Sequence, residues 1–187
     1  LPLDRAASDP CVMRSLVYIE RSGDVWFGQN ALSRYLEQNT GRAVHYEMQR
    51  VGEVTMVFAE IGTMVQDAYA LIDVSEPGRL FQSLKRFLPV SSFQATNVFG
   101  LHYTIEELLS LLARELLSGI QAALGQPLTS LAVGWPVRFS EDLTADALAR
   151  QRLREAWRLA GVTDVHFVEE PVAAIRHFAV RHHRGDA

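Results

Sequence analysis

The chain has 187 residues and a net charge of −4; 48% of its residues are apolar and 21% are charged. That is enough chain for one domain or two small lobes with a real core, and the balance excludes the disordered and fibrous classes. There is no broad basic field, which argues against nucleic-acid binding, and one cysteine, Cys11, cannot make a disulfide framework or a thiolate metal site. No apolar run is long enough to cross a membrane as a helix, and no charged-then-apolar start marks a secretory signal. These features fit a reducing, cytoplasmic setting, and also a secreted protein without disulfides. The chain begins at Leu1 rather than Met, so it reads as a piece or a processed product of a longer protein.

Residues 1–11 are small, polar and proline-bearing, and are expected to form a flexible lead-in. Residues 15–20 predict a strand, Arg21-Ser22-Gly23-Asp24 a turn, and 25–27 the returning strand of a hairpin. Ala31, Leu32, Tyr35 and Leu36 stand at helical spacing within 30–38, and Asn39-Thr40-Gly41 ends that helix. The pattern from 43 to 62 is β-like, most clearly over 54–59, whereas 62–74 fits no single template. Ser75-Glu76-Pro77 offers a hydroxyl cap, an acid and a proline, which predicts a helix over 75–88 stopped by Pro89. Residues 90–102 read as an irregular connection.

Thr104 and Glu107 have the spacing of a capping box, in which hydroxyl and carboxylate satisfy each other's free backbone donors. The helix behind it carries Ile105, Leu108, Leu109, Leu112, Leu116, Ile120 and Leu124 on one stripe, and Gly125 and Pro127 close it. Residues 130–135 predict a short apolar strand, and 145–160 a helix with Leu148, Leu153, Ala156 and Trp157 facing inward. Gly161 caps that helix, 165–168 predict another strand, and Glu169-Glu170-Pro171 opens the last helix. Arg150, Arg152, Arg154 and Arg158 read as a solvated helix face. Strands alternating with helices argue for an α/β fold with a partly parallel sheet.

Several short runs carry more than secondary structure. They are Phe27-Gly28-Gln29-Asn30-Ala31 behind the early hairpin, Leu84-Lys85-Arg86-Phe87-Leu88, and Val133-Gly134-Trp135-Pro136-Val137-Arg138-Phe139. Arg158-Leu159-Ala160-Gly161-Val162 and Glu170-Pro171-Val172-Ala173-Ala174 follow. In this order and spacing, over about residues 14–178, they resemble the ATPase domain of the 70-kDa heat-shock (DnaK-like) chaperones, in a divergent branch. The matching family runs are Val-Gly-x-x-Ala, Ile-Lys-Arg-Leu-Ile, Val-Pro-Ala-x-Phe, Arg-x-Ala-Gly-Leu and Glu-Pro-Thr-Ala-Ala. The resemblance implies the actin-like ATPase (ribonuclease H-like) fold, present as an incomplete first lobe of the nucleotide-binding domain. Residues 12–28 and 103–180 would form its sheet-and-helix core, 29–102 a smaller α+β subdomain, and 181–187 a tail. The family's two glycine-rich phosphate loops, expected just before residue 12 and after residue 180, are not in this sequence. Neither is the adenosine-binding half, nor room for a peptide-binding domain.

The resemblance assigns roles to four residues. Lys85 would reach the β- and γ-phosphates and offset charge that builds up during transfer. Glu170 would orient a water of the magnesium shell or the attacking water. Pro136 and Arg150 would form an allosteric pair in which a proline at the strand end senses nucleotide and an arginine on the next helix relays it. Each has a plainer reading: a solvated lysine, an acid favoured at a helix N-terminus, a strand terminator and a surface charge. His102, His166, His177, His182 and His183 have no partners at metal-ligand spacing, and the serines sit in no nucleophile context.

The implied parent is a chaperone that binds and hydrolyses ATP with Mg, and this chain alone is expected to be inactive. Two other readings stay open: a piece of a filament-forming bacterial actin relative, and a stand-alone interaction module without nucleotide chemistry. The expected partners are the remainder of the ATPase domain and a second copy paired through an unpaired sheet edge. Neither nucleic acid nor membrane is expected.

Overall fold

The computed structural model describes residues 2–58, 62–128 and 130–182. Strands β1 (Leu16–Glu20) and β2 (Val25–Phe27) form the expected hairpin, with Val17 opposite Phe27 and Ile19 opposite Val25. Helix α1 (Gly28–Asn39) follows at once. Its first turn is held from the lead-in, where the buried Asp4 carboxylate accepts the Gln29 N–H at 2.7 Å and the Ala6 N–H at 3.2 Å. A Cβ on Gly28 would lie 2.2 Å from Asp4 Oδ2, so the helix start is fitted to this carboxylate. The lead-in expected to be flexible instead folds back on itself, with the Leu3 and Asp4 N–H groups donating to the Pro10 carbonyl. The physical reason is the free N–H groups of a buried helix start, which require an acceptor.

Strands β3 (Tyr46–Phe58) and β4 (Gly62–Asp73) build a long antiparallel ribbon, about 40 Å at 3.4 Å per residue. Val51 is the extra residue of a bulge between Arg50 and Gly52. The segment 62–74 had no readable period because both faces of β4 are largely open to solvent, so nothing forces an alternation. Ala59, part of the expected strand, lies outside the described residues.

The helix expected over 75–88 does not form. The Ser75 hydroxyl donates to Asp73 Oδ1 at 2.7 Å and accepts from Arg42 at 2.7 Å, so it closes the base of the ribbon instead of capping a helix. Residues beyond Pro77 extend into β5 (Gly78–Gln82), which pairs antiparallel with the second edge of β1. Only one turn of 3-10 helix, Leu84–Phe87, remains. The free ladder of β1 outweighs the local cap signal.

Gly78 is required at its place in β5. A Cβ there would stand 2.4 Å from Tyr18 Cζ. The Tyr18 ring cannot retreat: it is fully buried, its hydroxyl donates to Gln38 Oε1 at 2.7 Å, and it meets Tyr35 edge-on at 5.8 Å. Gly78→Ala is therefore expected to cost about 1–3 kcal/mol by overpacking. Urea denaturation reads this as a lower midpoint, and an unchanged midpoint would show that the ring has room to move.

Strands β6 (Thr96–Val98) and β7 (Leu101–Tyr103) form a tight hairpin inside the stretch expected to be irregular, turning through Phe99 and Gly100 at positive φ. Helix α2 (Ile105–Leu124) starts on the predicted capping box. The Thr104 hydroxyl accepts the Glu107 N–H at 3.2 Å, the Glu107 carboxylate accepts the Thr104 N–H at 2.8 Å, and Gly125 closes the helix at φ +68°. Strand β8 (Ser130–Trp135), helix α3 (Leu143–Leu159) and strand β9 (Asp164–Glu169) make a β–α–β unit whose two strands are parallel. Helix α4 (Glu170–His182) leaves directly from the end of β9.

The core gathers where α2 meets α3, with Leu108, Leu112, Leu153, Ala156 and Trp157 packed with Val17 and Leu88. The fold is mixed α/β: one parallel pair beside small antiparallel sheets. Among the described residues the sheet β2–β1–β5 shares no ladder with β8–β9. β1 rests on α2 by packing and not through a common sheet with β8–β9, and β5, Leu84, Leu88 and Val98, from the span 29–102, join the same sheet and core. None of the described helices is long and apolar enough to cross a membrane. The tail from residue 183 onward lies outside the described residues.

Candidate functional site

The carboxyl ends of β8 and β9 lie side by side, because Trp135 pairs with Glu169. Pro136 and Glu170 are the next residues of the two strands, so both predicted residues sit at this one end. In open α/β sheets the carboxyl end of parallel strands is where ligands bind. Glu170 opens α4 and lies over Gly134, where an added Cβ would come within 3.4 Å of its Cγ.

Lys85 arrives from the other half of the fold. It sits in the 3-10 turn after β5, behind Ser83 held in the left-handed region at φ +55°. Its Nζ stands 3.6 Å from Glu170 Oε1, with both side chains 53% exposed. The structure therefore brings together the two residues predicted as catalytic, which the sequence separates widely. An exposed pair of this kind contributes about 0–1 kcal/mol, so parting it is cheap.

Lys85 and Gly134, the residue over which Glu170 lies, line a cleft of about 820 Å³. Its walls come from the 3-10 turn, the residues leading into β1, one side of β8, and the facing sides of α2 and α3. Leu112, Leu116, Leu153 and Trp157 make the inner surface apolar. Lys85, Arg86 and Arg14 line it too and supply three cations. Arg14 and Arg86 were not singled out in the sequence; the only available signal was their position beside β1 and Lys85. These cations suit an anionic ligand such as a phosphate. No described segment at the cleft offers the run of glycine N–H groups that cradles a triphosphate. Among the described residues no group of three or more His, Cys, Asp or Glu is placed to hold a metal ion.

Pro136 and Arg150 are also brought close. The Arg150 guanidinium lies 4.2 Å from the centre of the Trp135 ring, and its Nη2 donates to the Val137 carbonyl at 2.6 Å, so it grips the residues on both sides of Pro136. Its Nε donates to Asp146 Oδ2 at 2.8 Å, and Asp146 Oδ1 accepts the Phe139 N–H at 2.7 Å. Hydrogen bonding from Arg150, aided by the Phe139 N–H, holds the Asp146 carboxyl below the usual carboxylate range. The segment after β8 is thus clamped to α3. Asp146 was missed in the sequence, although its i,i+4 spacing to Arg150 was readable.

The basic run of α3 is not one solvated face. Arg154 joins Arg150 on Trp135, at 5.1 Å, while Arg158 pairs with Glu155 in solvent. Arg152 is buried. Its guanidinium donates to the carbonyls of Leu88, Val90 and Phe93 at 3.1, 2.9 and 2.9 Å, and pairs with Glu106 at 3.2 Å. It thereby fixes the segment that follows the Lys85 turn. His166 faces solvent beside Asp164. The side chains of His177 and His182, and all of His183, lie outside the described residues.

No protein-family model matches the chain.

Proposed function

We propose that this chain is part of the nucleotide-binding lobe of a heat-shock-70-like chaperone, and that it supplies Lys85 and Glu170 to the phosphate end of an ATP site. The single observation that supports this reading is the 3.6 Å pairing of Lys85 with Glu170 at the carboxyl end of the parallel strands. Neither sequence periodicity nor composition demands that apposition. The Lys85 ammonium exchanges Glu170 for a phosphate oxygen, where a positioned cation offsets charge that builds up in transfer. Glu170, released from the pair, would accept a hydrogen bond from the attacking water or, with Mg bound, from a water of its shell. Arg150 holds the strand end around Pro136 and couples it to α3, which suits an allosteric relay. The apolar interior of the cleft is seated against the remainder of the ATPase domain, which also brings the phosphate loops.

Calorimetric titration with ATP and ADP, with and without Mg, tests the reading. This chain alone is expected to show no turnover and no detectable binding. In the protein that contains the rest of the domain, Lys85→Ala and Glu170→Ala are each expected to lower ATP turnover by about a hundredfold or more, with the fold retained by circular dichroism. Turnover that survives both substitutions would remove these residues from the site, and Mg-dependent binding to this chain alone would overturn the need for the missing loops.

A further inference from the structure

The ribbon β3–β4 projects from the body and packs on hardly anything but itself. A two-stranded ribbon is marginal in water, whereas three or more strands with an apolar face are independently stable. This ribbon is also rich in exposed apolar side chains, among them Met48, Val57, Val65, Tyr69 and Leu71. Over 54–58 and 62–66 it carries no charged residue, so it offers nothing to a strongly acidic or basic partner.

Its two edges differ. The β3 edge is blunted by the bulge at Val51 and by Arg50 beside it, two devices that discourage pairing. The β4 edge has neither: no proline, no lysine or arginine and no bulge of its own over Gly62–Asp73. Asp67, the one charge within it short of Asp73, is already met by Arg50 Nε at 2.6 Å.

We propose that β4 is a homodimerisation edge, pairing antiparallel with β4 of a second copy into a four-stranded sheet. A second copy is the occupant because the strand is complementary to itself. A two-fold axis at Ala68 sets Val65 opposite Leu71 and Met64 opposite Ile72 of the other copy. The same register sets Tyr69 opposite each Asp67; the two Asp67 side chains are diagonal neighbours across the axis, each met by Arg50 of its own copy. Val65 and Leu71, 56% and 66% exposed in one copy, then become cross-strand neighbours on the same face. Closed two-fold pairing also uses up the edge, so association stops at two. This edge belongs to the ribbon, not to the core sheet in which an unpaired edge was expected, and the proposal does not depend on the nucleotide reading.

Sedimentation velocity across a concentration series tests it, with register read by cysteine cross-linking in a Cys11→Ser background. The chain is expected to be dimeric, and Val65→Lys with Leu71→Lys is expected to weaken the dimer by about a hundredfold or more, with circular dichroism unchanged. Ala68→Cys is expected to cross-link two copies on oxidation. Thr63→Cys is not, because its register partner is Asp73 of the second copy and the two Thr63 positions lie about 34 Å apart along the strands. A monomer at every concentration overturns the proposal. So does a dimer that survives the double lysine variant, or one that cross-links through Thr63→Cys and not Ala68→Cys.

Discussion

Replacing Arg152 with methionine is expected to destabilise the fold by about 3–5 kcal/mol, the range seen when one partner of a buried charge pair is removed. The guanidinium spans the carbonyls of Leu88, Val90 and Phe93 and also meets Glu106. Methionine fills the space and packs, but it donates nothing. These three carbonyls, that of Phe87 and the Glu106 carboxylate then lose their donor, and each loss carries a desolvation cost. Lysine keeps the charge, yet its compact ammonium cannot reproduce the planar fork. The expected order of urea midpoints is therefore wild type, then Arg152→Lys, then Arg152→Met. A methionine variant within about 1 kcal/mol of wild type would mean that these carbonyls find water instead.

Leu108→Ala is expected to cost about 2–5 kcal/mol. Leu108 is fully buried on the inner stripe of α2, where α3 and β1 converge, and the surrounding elements leave little freedom to collapse into a cavity. Leu124, expected on the same stripe, is instead half exposed at the last turn of the helix, so Leu124→Ala is the matched control, expected to stay within about 0.5 kcal/mol. Equal midpoints for the two variants would mean that α2 does not organise the core.

Some of this architecture could be read directly. The capping box at Thr104 and Glu107 is a local signal, and it produced the helix it predicts. The unit β8–α3–β9 was legible too, because its helix caps and apolar strands lie close in sequence. The segment 75–88 was not legible: its cap residue found Asp73 and Arg42, and an unpaired edge of β1, distant in sequence, claimed Gly78–Gln82. Arg152 defeated the reading by residue type. It stands among Ala149, Leu153 and Ala156 on the inward face of α3, and the position outweighed the charge because four carbonyls and the Glu106 carboxylate converge there. Lys85 and Glu170 could be nominated only by resemblance. Their proximity depends on how the 3-10 turn, seated on α2, is brought to the start of α4, and no local pattern encodes that.

The ribbon has one more consequence, for the order of folding. Pairing β1 with β5 joins Glu20 to Gly78 across α1 and the whole ribbon. Once Tyr46 and Asp73 are paired, the base of the ribbon is bridged, and the stretch still to be closed falls to about half. Each halving of a loop lowers its closure entropy by about 0.6 kcal/mol, or about a threefold gain in rate. Hairpins zip in about 1–10 μs, well ahead of most long-range pairing. The arm that stands in solvent in the finished fold thus acts during folding as a splice, bringing the two halves of the β2–β1–β5 sheet within reach of each other.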